Sequence, residues 1–341
     1  MIDWVSAALP LLHQPLNGGT VCKILPDSSL EWSTRCAISV VGSHDASIQV
    51  KSVGGDGQGK ATHLYLHGNP SKFLQGHNIF GSDDLVALVY DTYQKVCKAL
   101  KLSPQLAELG AVKKGAYSLS RVDINYSYSL PTRSDVNAWL RAAEFKSRTR
   151  HGRPALKGGT LYWGKNSRRW ALKAYCKGEE IEAPKHRLPD NLLDTKLPEW
   201  ADNKLRIELV LRAKQLKELG FEEAKTLTVD EIRRVYRSYL ERLEMNEQLA
   251  LTTDQLLEFP QKLRSTYTLW QIGEDLRSTL PKATYYRHRK QLLEYGIDIA
   301  LRQEAAPRNN VVPLVRVLEA EPAEIPQWAF DEQLVHQSAR H

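Results

Sequence analysis

The sequence predicts an α+β protein: a central antiparallel sheet flanked by helices in its N-terminal part, then a mainly α-helical C-terminal domain. Residues 120–128, 170–177 and 205–212 alternate strictly between apolar and polar side chains, as strands with one face in a core must. Shorter alternating runs, Cys36 to Val41 and Ser47 to Val53, are divided by Gly-rich turns such as Gly54-Gly55-Asp56-Gly57. From about residue 228 the apolar spacing changes to that of helices.

In chain order, residues 83–100 predict a helix, with Leu85, Leu88, Val89, Tyr93, Val96 and Leu100 on one face and Ser82 as N-cap. Ser134 is expected to cap another, whose face is Val136, Trp139, Leu140 and Ala143. In the strand at 120–128, Val122, Ile124 and Tyr126 oppose Arg121, Asp123 and Asn125. At 170–177, Trp170, Leu172, Ala174 and Cys176 oppose Lys173, Tyr175 and Lys177. At 205–212, Leu205, Ile207, Leu209 and Leu211 oppose Arg206 and Glu208. The polar faces meet only if these strands are neighbours, which spacing does not decide. Residues 178–204 read as a charged loop. Asp230, Ile232, Val235, Tyr236 and Leu240 open a helical stretch that runs to about 296. The expected domains are 1–220 and 228–304, divided near 215–228, with an extended tail at 305–341.

A chain of 341 residues, 42% hydrophobic and 26% charged, buries a substantial core. Its net charge of +7 and pI of about 9.1 favour a polyanionic partner. Cys22, Cys36, Cys97 and Cys176 match no zinc spacing and are too few for a disulfide scaffold. The start at Met1-Ile2-Asp3-Trp4 is no signal peptide, and no apolar run is long enough for a membrane span.

Between Phe145 and Gly178 there are ten Lys or Arg residues and no Asp or Glu. This run leads into Tyr175-Cys176-Lys177-Gly178-Glu179-Glu180. Lys165, Arg168, Arg169 and Lys173 are suited to holding phosphates. Tyr175 is the candidate nucleophile for cutting a DNA strand, with Lys177 placed to lower its phenol pKa or bind the phosphate. Asp123, Glu180 and Glu208 are candidate ligands for Mg²⁺ or Mn²⁺, and Arg121 and Arg206 can pair with them or clamp the phosphate. Taken singly, each of these groups reads better as a packing tyrosine or a plain ion pair. His63 and His67 sit about 13 Å apart along a strand, too far to share one metal. His77 is expected to make a local hydrogen bond.

Residues 266–296 have the pattern of a helix-turn-helix. Leu269, Ile272 and Leu276 form its first stripe, and the second helix starts near Pro281 and stops at Gly296. Thr284, Tyr285, Arg287, His288 and Lys290 are its candidate major-groove contacts, the alternative being a basic helix in an ordinary bundle.

Several segments, in order, resemble the gene II replication initiator family of filamentous bacteriophages. They are Met1-Ile2-Asp3, Lys72 to Gly81 with Gln75-Gly76-His77-Asn78, and Ser120-Arg121-Val122-Asp123. Trp163 to Arg168, Ala174-Tyr175-Cys176-Lys177 with Glu180, Leu205-Arg206-Ile207-Glu208, and Asn309-Asn310-Val311-Val312-Pro313-Leu314-Val315-Arg316 follow. The resemblance implies a nicking-closing enzyme of the bacterial host cytoplasm. It nicks one strand of the double-stranded origin through a 5′-phosphotyrosyl bond at Tyr175, then closes the displaced single strand into a circle. It also implies work alongside a host helicase and DNA polymerase, and a second product from an internal start, which places that start at Met245. Whether a homodimer acts on DNA, and whether Tyr162 or Tyr128 serves in closure, stays open. Two competing readings are a non-catalytic origin or single-strand DNA binder and a metal-free tyrosine recombinase.

Overall fold

The computed structural model describes residues 1–149, 152, 154–245, 259–271, 274–294, 297, 299–300 and 320–338. Its strands, in chain order, are β1 (Ile2–His13), β2 (Thr20–Ile24), β3 (Leu30–Arg35), β4 (Ile38–Val41), β5 (Ser47–Val53), β6 (Ala61–Gly68), β7 (Ser118–Ser129), β8 (Ser147–Arg148), β9 (Ala155–Lys157), β10 (Thr160–Trp163), β11 (Trp170–Cys176), β12 (Lys204–Arg212) and β13 (Glu244–Met245). Among the described residues one sheet has nine strands, in the order β4-β5-β6-β1-β7-β12-β11-β10-β9, every pair antiparallel. The strands β2 and β3 form a separate, fully exposed ribbon, and β8 pairs with β13.

The three strands predicted by alternation are therefore neighbours. Their apolar sides, from Val122 and Ile124 through Leu205 to Leu211 and from Trp170 to Cys176, enter one core. The helices on that face are α1 (Pro70–Gln75), α2 (Leu85–Ala99), α3 (Leu106–Lys113) and α4 (Arg133–Lys146). The cap of α2 is Asp84, whose carboxylate accepts from the Ala87 amide at 2.9 Å, and not Ser82. The cap of α4 is Thr132, in a capping box with Asp135, and not Ser134. A carboxylate or hydroxyl three residues before an open amide decides both. Gly76 ends α1 at a φ of +88°, where a Cβ would strike the His44 ring.

Residues 178–204 are more ordered than the expected loop. They contain α5 (Lys177–Glu182), α6 (Asp190–Leu193) and α7 (Leu197–Asp202). Thus β11 stops at Cys176, and Lys177 opens a helix instead of extending the strand. After β12 come α8 (Ala213–Glu218) and α9 (Val229–Leu240). Ile232, Val235, Tyr236, Tyr239, Leu240 and Leu243 all join the sheet's core, and the Tyr236 hydroxyl donates to the Ile207 carbonyl at 3.1 Å. The first core accordingly ends near 243, beyond the boundary expected at 215–228. An amphipathic helix reads the same from sequence whichever core receives its apolar face.

A separate cluster holds α10 (Gln261–Gln271), α11 (Leu276–Thr279) and α12 (Lys282–Glu294) around Leu263, Tyr267, Leu276, Tyr285 and Leu292. Ile272 and Gly296, read as stripe and stop, lie outside the described residues, as does the segment Asn309 to Arg316. The described part of the tail, 320–338, folds back with α13 (Gln327–Asp331). Its Ala329, Trp328, Leu334 and Val335 pack with Ile79, Phe80 and the α5–α7 stretch.

If α9 belongs to the first core, Ile232→Ala should cost about 2–5 kcal/mol. Tyr236→Phe should cost about 1 kcal/mol for the lost hydrogen bond. Urea denaturation of the full chain measures both. Near-zero values would detach α9 from the sheet.

Candidate active site

The sheet's second face carries the polar partners of the alternating strands. In register, Tyr175 lies beside Arg206 and Arg206 beside Ser127; Lys173 lies beside Glu208 and Glu208 beside Asn125. Asp123 sits opposite Val210, and Arg121 opposite Arg212. Side chains two apart on one strand share a face, so all the expected catalytic and metal-binding residues except Glu180, and Lys177 at the helix start, project from this one surface.

They fall into two adjoining groups. In the first, Arg121 grips Asp123 with two bonds, Nε at 2.7 Å and Nη2 at 2.6 Å. Lys173 pairs with Glu208 and lies 3.7 Å from Asp123. In the second, the fully buried Lys177 ammonium pairs with Glu180 at 2.5 Å and donates to Asn78 Oδ1 at 2.8 Å. Arg206, 1% exposed, donates to Ser127 Oγ and to the backbone carbonyls of Asn78 and Ile79. Tyr175 stands between the groups at 8% exposure and feels both Glu208 and Glu180.

Burial, then Glu208 and Glu180, push the Tyr175 phenol well above its ordinary range, and Arg206 opposes them. Burial also lowers the Lys177 ammonium, against the pull of Glu180. Glu208 is pushed up to about 8: burial and the neighbouring Asp123 and Asp3 carboxylates outweigh the contact with Lys173. Glu180 is held down by Lys177.

The three expected metal ligands do not converge. Glu180 belongs to the Lys177 group, while Asp123 and Glu208 adjoin one another. Among the described residues no three His, Cys, Asp or Glu side chains form a set able to hold a metal ion. The Asp123–Glu208 pair by itself fits Mg²⁺, which is commonly held by one or two carboxylates plus substrate phosphate and water. Burial raises the proton affinity of Glu208, and the adjacent Asp123 carboxylate adds to it.

Sequence reasoning missed Asp3 and Asn78. Asp3 is 8% exposed and accepts from Asn69 Nδ2 at 2.8 Å and Asn78 Nδ2 at 2.9 Å. The nearby Met1 amino group donates to the Asn125 carbonyl at 2.7 Å and pairs with Asp83. Asn78 links Asp3, Lys177 and Arg206. Both residues lay within the family-like segments and carried no spacing signal of their own. His77 makes the expected local bond, Nδ1 accepting from the Ile79 amide, and also a long-range one, Nε2 to the Leu334 carbonyl at 2.7 Å.

The structure separates the two candidate second tyrosines. Tyr128 is 2% exposed in the core against Tyr236, whereas Tyr162 is on the Tyr175 face, in register with Lys173. Lys165, Arg168 and Arg169 are exposed beside it; Lys165 lies over the Tyr162 ring at 5.0 Å, and Arg169 pairs with Glu218. On α12, Arg287 and Lys290 are exposed and Thr284 is half-buried. Tyr285 and His288 face inward instead, at 3% and 6% exposure, with His288 bonded to Thr266. Tyr286, 52% exposed, takes the outward place expected of Tyr285. A one-residue shift around a helix is about 100°, and the basic run hid which tyrosine packs.

Fold and site together define an α+β protein with a tyrosine set among paired carboxylates and cations on the polar, largely buried face of an antiparallel sheet. Two family models, for the N-terminal and the C-terminal parts of the phage replication-associated protein encoded by gene II, match residues 1–242 and 251–335. The replication-associated protein of Enterobacteria phage I2-2 is 50% identical over 328 residues, 96% of this chain and 95% of that one. The protein of the same name from Enterobacteria phage M13 is 22% identical over 317 residues, 77% and 76% of the two chains. That from Salmonella phage IKe is 28% identical over 149 residues, 43% and 34%. The chain belongs to this family of gene II replication-associated proteins, and the junction of its two family models coincides with the end of the first core.

Burial lowers the His77 imidazole from near 6.5 to about 4. The unfolded chain thus takes up a proton at this position before the folded one does. The stability His77 allows is intact above pH 6.5 and falls by about 3 kcal/mol as pH drops to 4. Melting curves across that window should show the loss, and His77→Asn should flatten it.

Proposed function

We propose that this chain initiates rolling-circle replication of a phage genome, with Tyr175 as the nucleophile that nicks one strand of the double-stranded origin. The observation that carries the reading is Tyr175 itself: a strand tyrosine between Glu208 with Lys173 and Glu180 with Lys177, in a replication-associated family.

The Tyr175 oxygen attacks the scissile phosphorus, its proton passes to Glu208, and a tyrosine–phosphorus bond forms as the bond to the 3′ oxygen breaks. Lys173 is placed to give that oxygen a proton, yielding a 3′-OH primer. Closure is the reverse: a 3′-OH attacks the phosphotyrosine, remakes the phosphodiester and releases Tyr175. Arg121 and Lys173, both partly exposed, meet the phosphate oxygens. Arg206 sits too deep for that and acts by fixing the loop at 78–79 and opposing negative charge near the phenol. Mg²⁺, or Mn²⁺, held by Asp123 and Glu208 would supply Lewis-acid polarisation of the phosphate. The 3′-OH is a substrate for a host DNA polymerase, and strand displacement calls for a helicase, which places the work in the host cytoplasm beside the replicating DNA. Among the described residues no helix is long and apolar enough to cross a membrane.

A supercoiled plasmid bearing the cognate origin tests this. Wild type with Mg²⁺ should give nicked circles and a protein–DNA adduct. EDTA should abolish both, and Tyr175→Phe should lose about a thousandfold or more in rate. Nicking that survives Tyr175→Phe moves the nucleophile; binding without nicking in every condition supports the non-catalytic origin binder.

Because Glu208 must be ionised to accept the proton, and its burial opposes that ionisation, the nicking rate should climb with pH. Glu208→Gln should remove that climb and slow the reaction about 10²–10⁴-fold.

For the helix pair, Arg287→Ala or Lys290→Ala should weaken duplex binding and reduce its salt slope by about one each. Tyr285→Ala should lower thermal stability instead.

A further inference from the structure

On the same sheet face, across β7 from Tyr175, lies a strip of rings and cations of which the nicking chemistry uses only Arg121. Trp4 on β1 and His67 on β6 meet edge to face, with centroids 5.0 Å apart. His67 and Tyr65 stack at 6.2 Å and an interplanar angle of 17°. Each outer ring carries a cation: Arg121 lies over Trp4 at 5.4 Å, and Lys51 over Tyr65 at 5.4 Å. Arg212 extends the charge, in register with Arg121.

These side chains are positioned, not splayed at random. Ser6 Oγ and His67 Nδ1 are 2.5 Å apart, and Tyr65 Oη and Ser120 Oγ 3.0 Å apart. Trp4, Tyr65 and His67 stay half-buried, while Val5, Leu64 and Leu66, beside them in sequence, are in the core. The strip is positively charged: its adjoining carboxylate, Asp123, is already gripped by Arg121. From β11 to β6 is four strand spacings, about 19 Å.

We propose that this strip binds single-stranded DNA leading to or from the cleaved phosphate, its bases stacking on Trp4, His67 and Tyr65 and its phosphates meeting Lys51, Arg121 and Arg212. Aromatic rings interleaved with cations are how sequence-tolerant single-strand sites are built. Duplex DNA is excluded as the occupant because its bases are already stacked on one another. The placement of this strand relative to a cut rests on the nicking reading; the binding itself does not.

The test uses full-length protein carrying Tyr175→Phe, so that no covalent bond forms, and a fluorescent oligothymidylate. Adding Tyr65→Ala should weaken binding about fivefold to a hundredfold, while Tyr65→Phe, which keeps the ring, should stay within twofold. Affinity for a short duplex should not change with either. Photocrosslinking of bromodeoxyuridine oligonucleotide to the same parent protein should map to peptides containing Trp4 or Tyr65, a readout that needs no folding-sensitive variant. Crosslinks solely elsewhere, or equal binding by Tyr65→Ala, overturn the proposal. Strip binding without nicking by wild type would sink the nickase reading alone, and nicking with unaltered Tyr65→Ala binding would sink the strip alone.

Discussion

The buried guanidinium of Arg206 organises much of this molecule. Its three bonds run to neutral oxygens: Ser127 Oγ at 3.0 Å and the carbonyls of Asn78 and Ile79 at 2.5 and 2.6 Å. A charge taken out of water is tolerable only when hydrogen bonds replace its hydration, so the 78–79 backbone has to arrive where β12 presents the arginine. That backbone is held in turn by His77 against Leu334, by Phe80 against Trp200 and Trp328, and by Asn78 on Asp3 and Lys177. Distant parts of the chain therefore converge on one cation, and Tyr175 is the next residue along the sheet.

The charge state that follows suits a site waiting for a polyanion. Tyr175 is kept protonated, and each acidic neighbour already has a basic companion: Arg121 for Asp123, Lys173 for Glu208, Lys177 for Glu180. Arg121 and Lys173 reach solvent, while Lys177 is sealed. Under the proposed reaction an incoming phosphate would compete for the two accessible cations and would not reach the third, so the arrangement divides positive charge into exchangeable and fixed parts.

The alternation of β7, β11 and β12 was legible because a sheet with an apolar core on one face and polar groups on the other imposes a period of two, and it located most of the candidate site. What spacing could not tell was which strands neighbour which; that is set by the return of β12 between β7 and β11. Lys177 was misjudged because a strand and a helix can share one lysine at their junction. Asp3 and Asn78 stayed hidden because their roles depend on contacts more than 60 residues away in sequence. Tyr285 and Tyr286 differ by one position in a run too basic to show a stripe. The docking of α9 and the tail is likewise a matter of long-range partners, which an apolar pattern requires without naming.

The backward fold of residues 320–338 has a topological consequence. The helix pair at 261–294 leaves the sheet's core after Leu243 and the chain rejoins the same body at the tail, through Ala323 on Ser127 and His336 on Asp91. It is thus a closed excursion and not a pendant module. Chain connectivity alone joins the unit to one body at both of its ends, so a single cut on either side of the pair would leave it covalently attached to the chain that carries Tyr175.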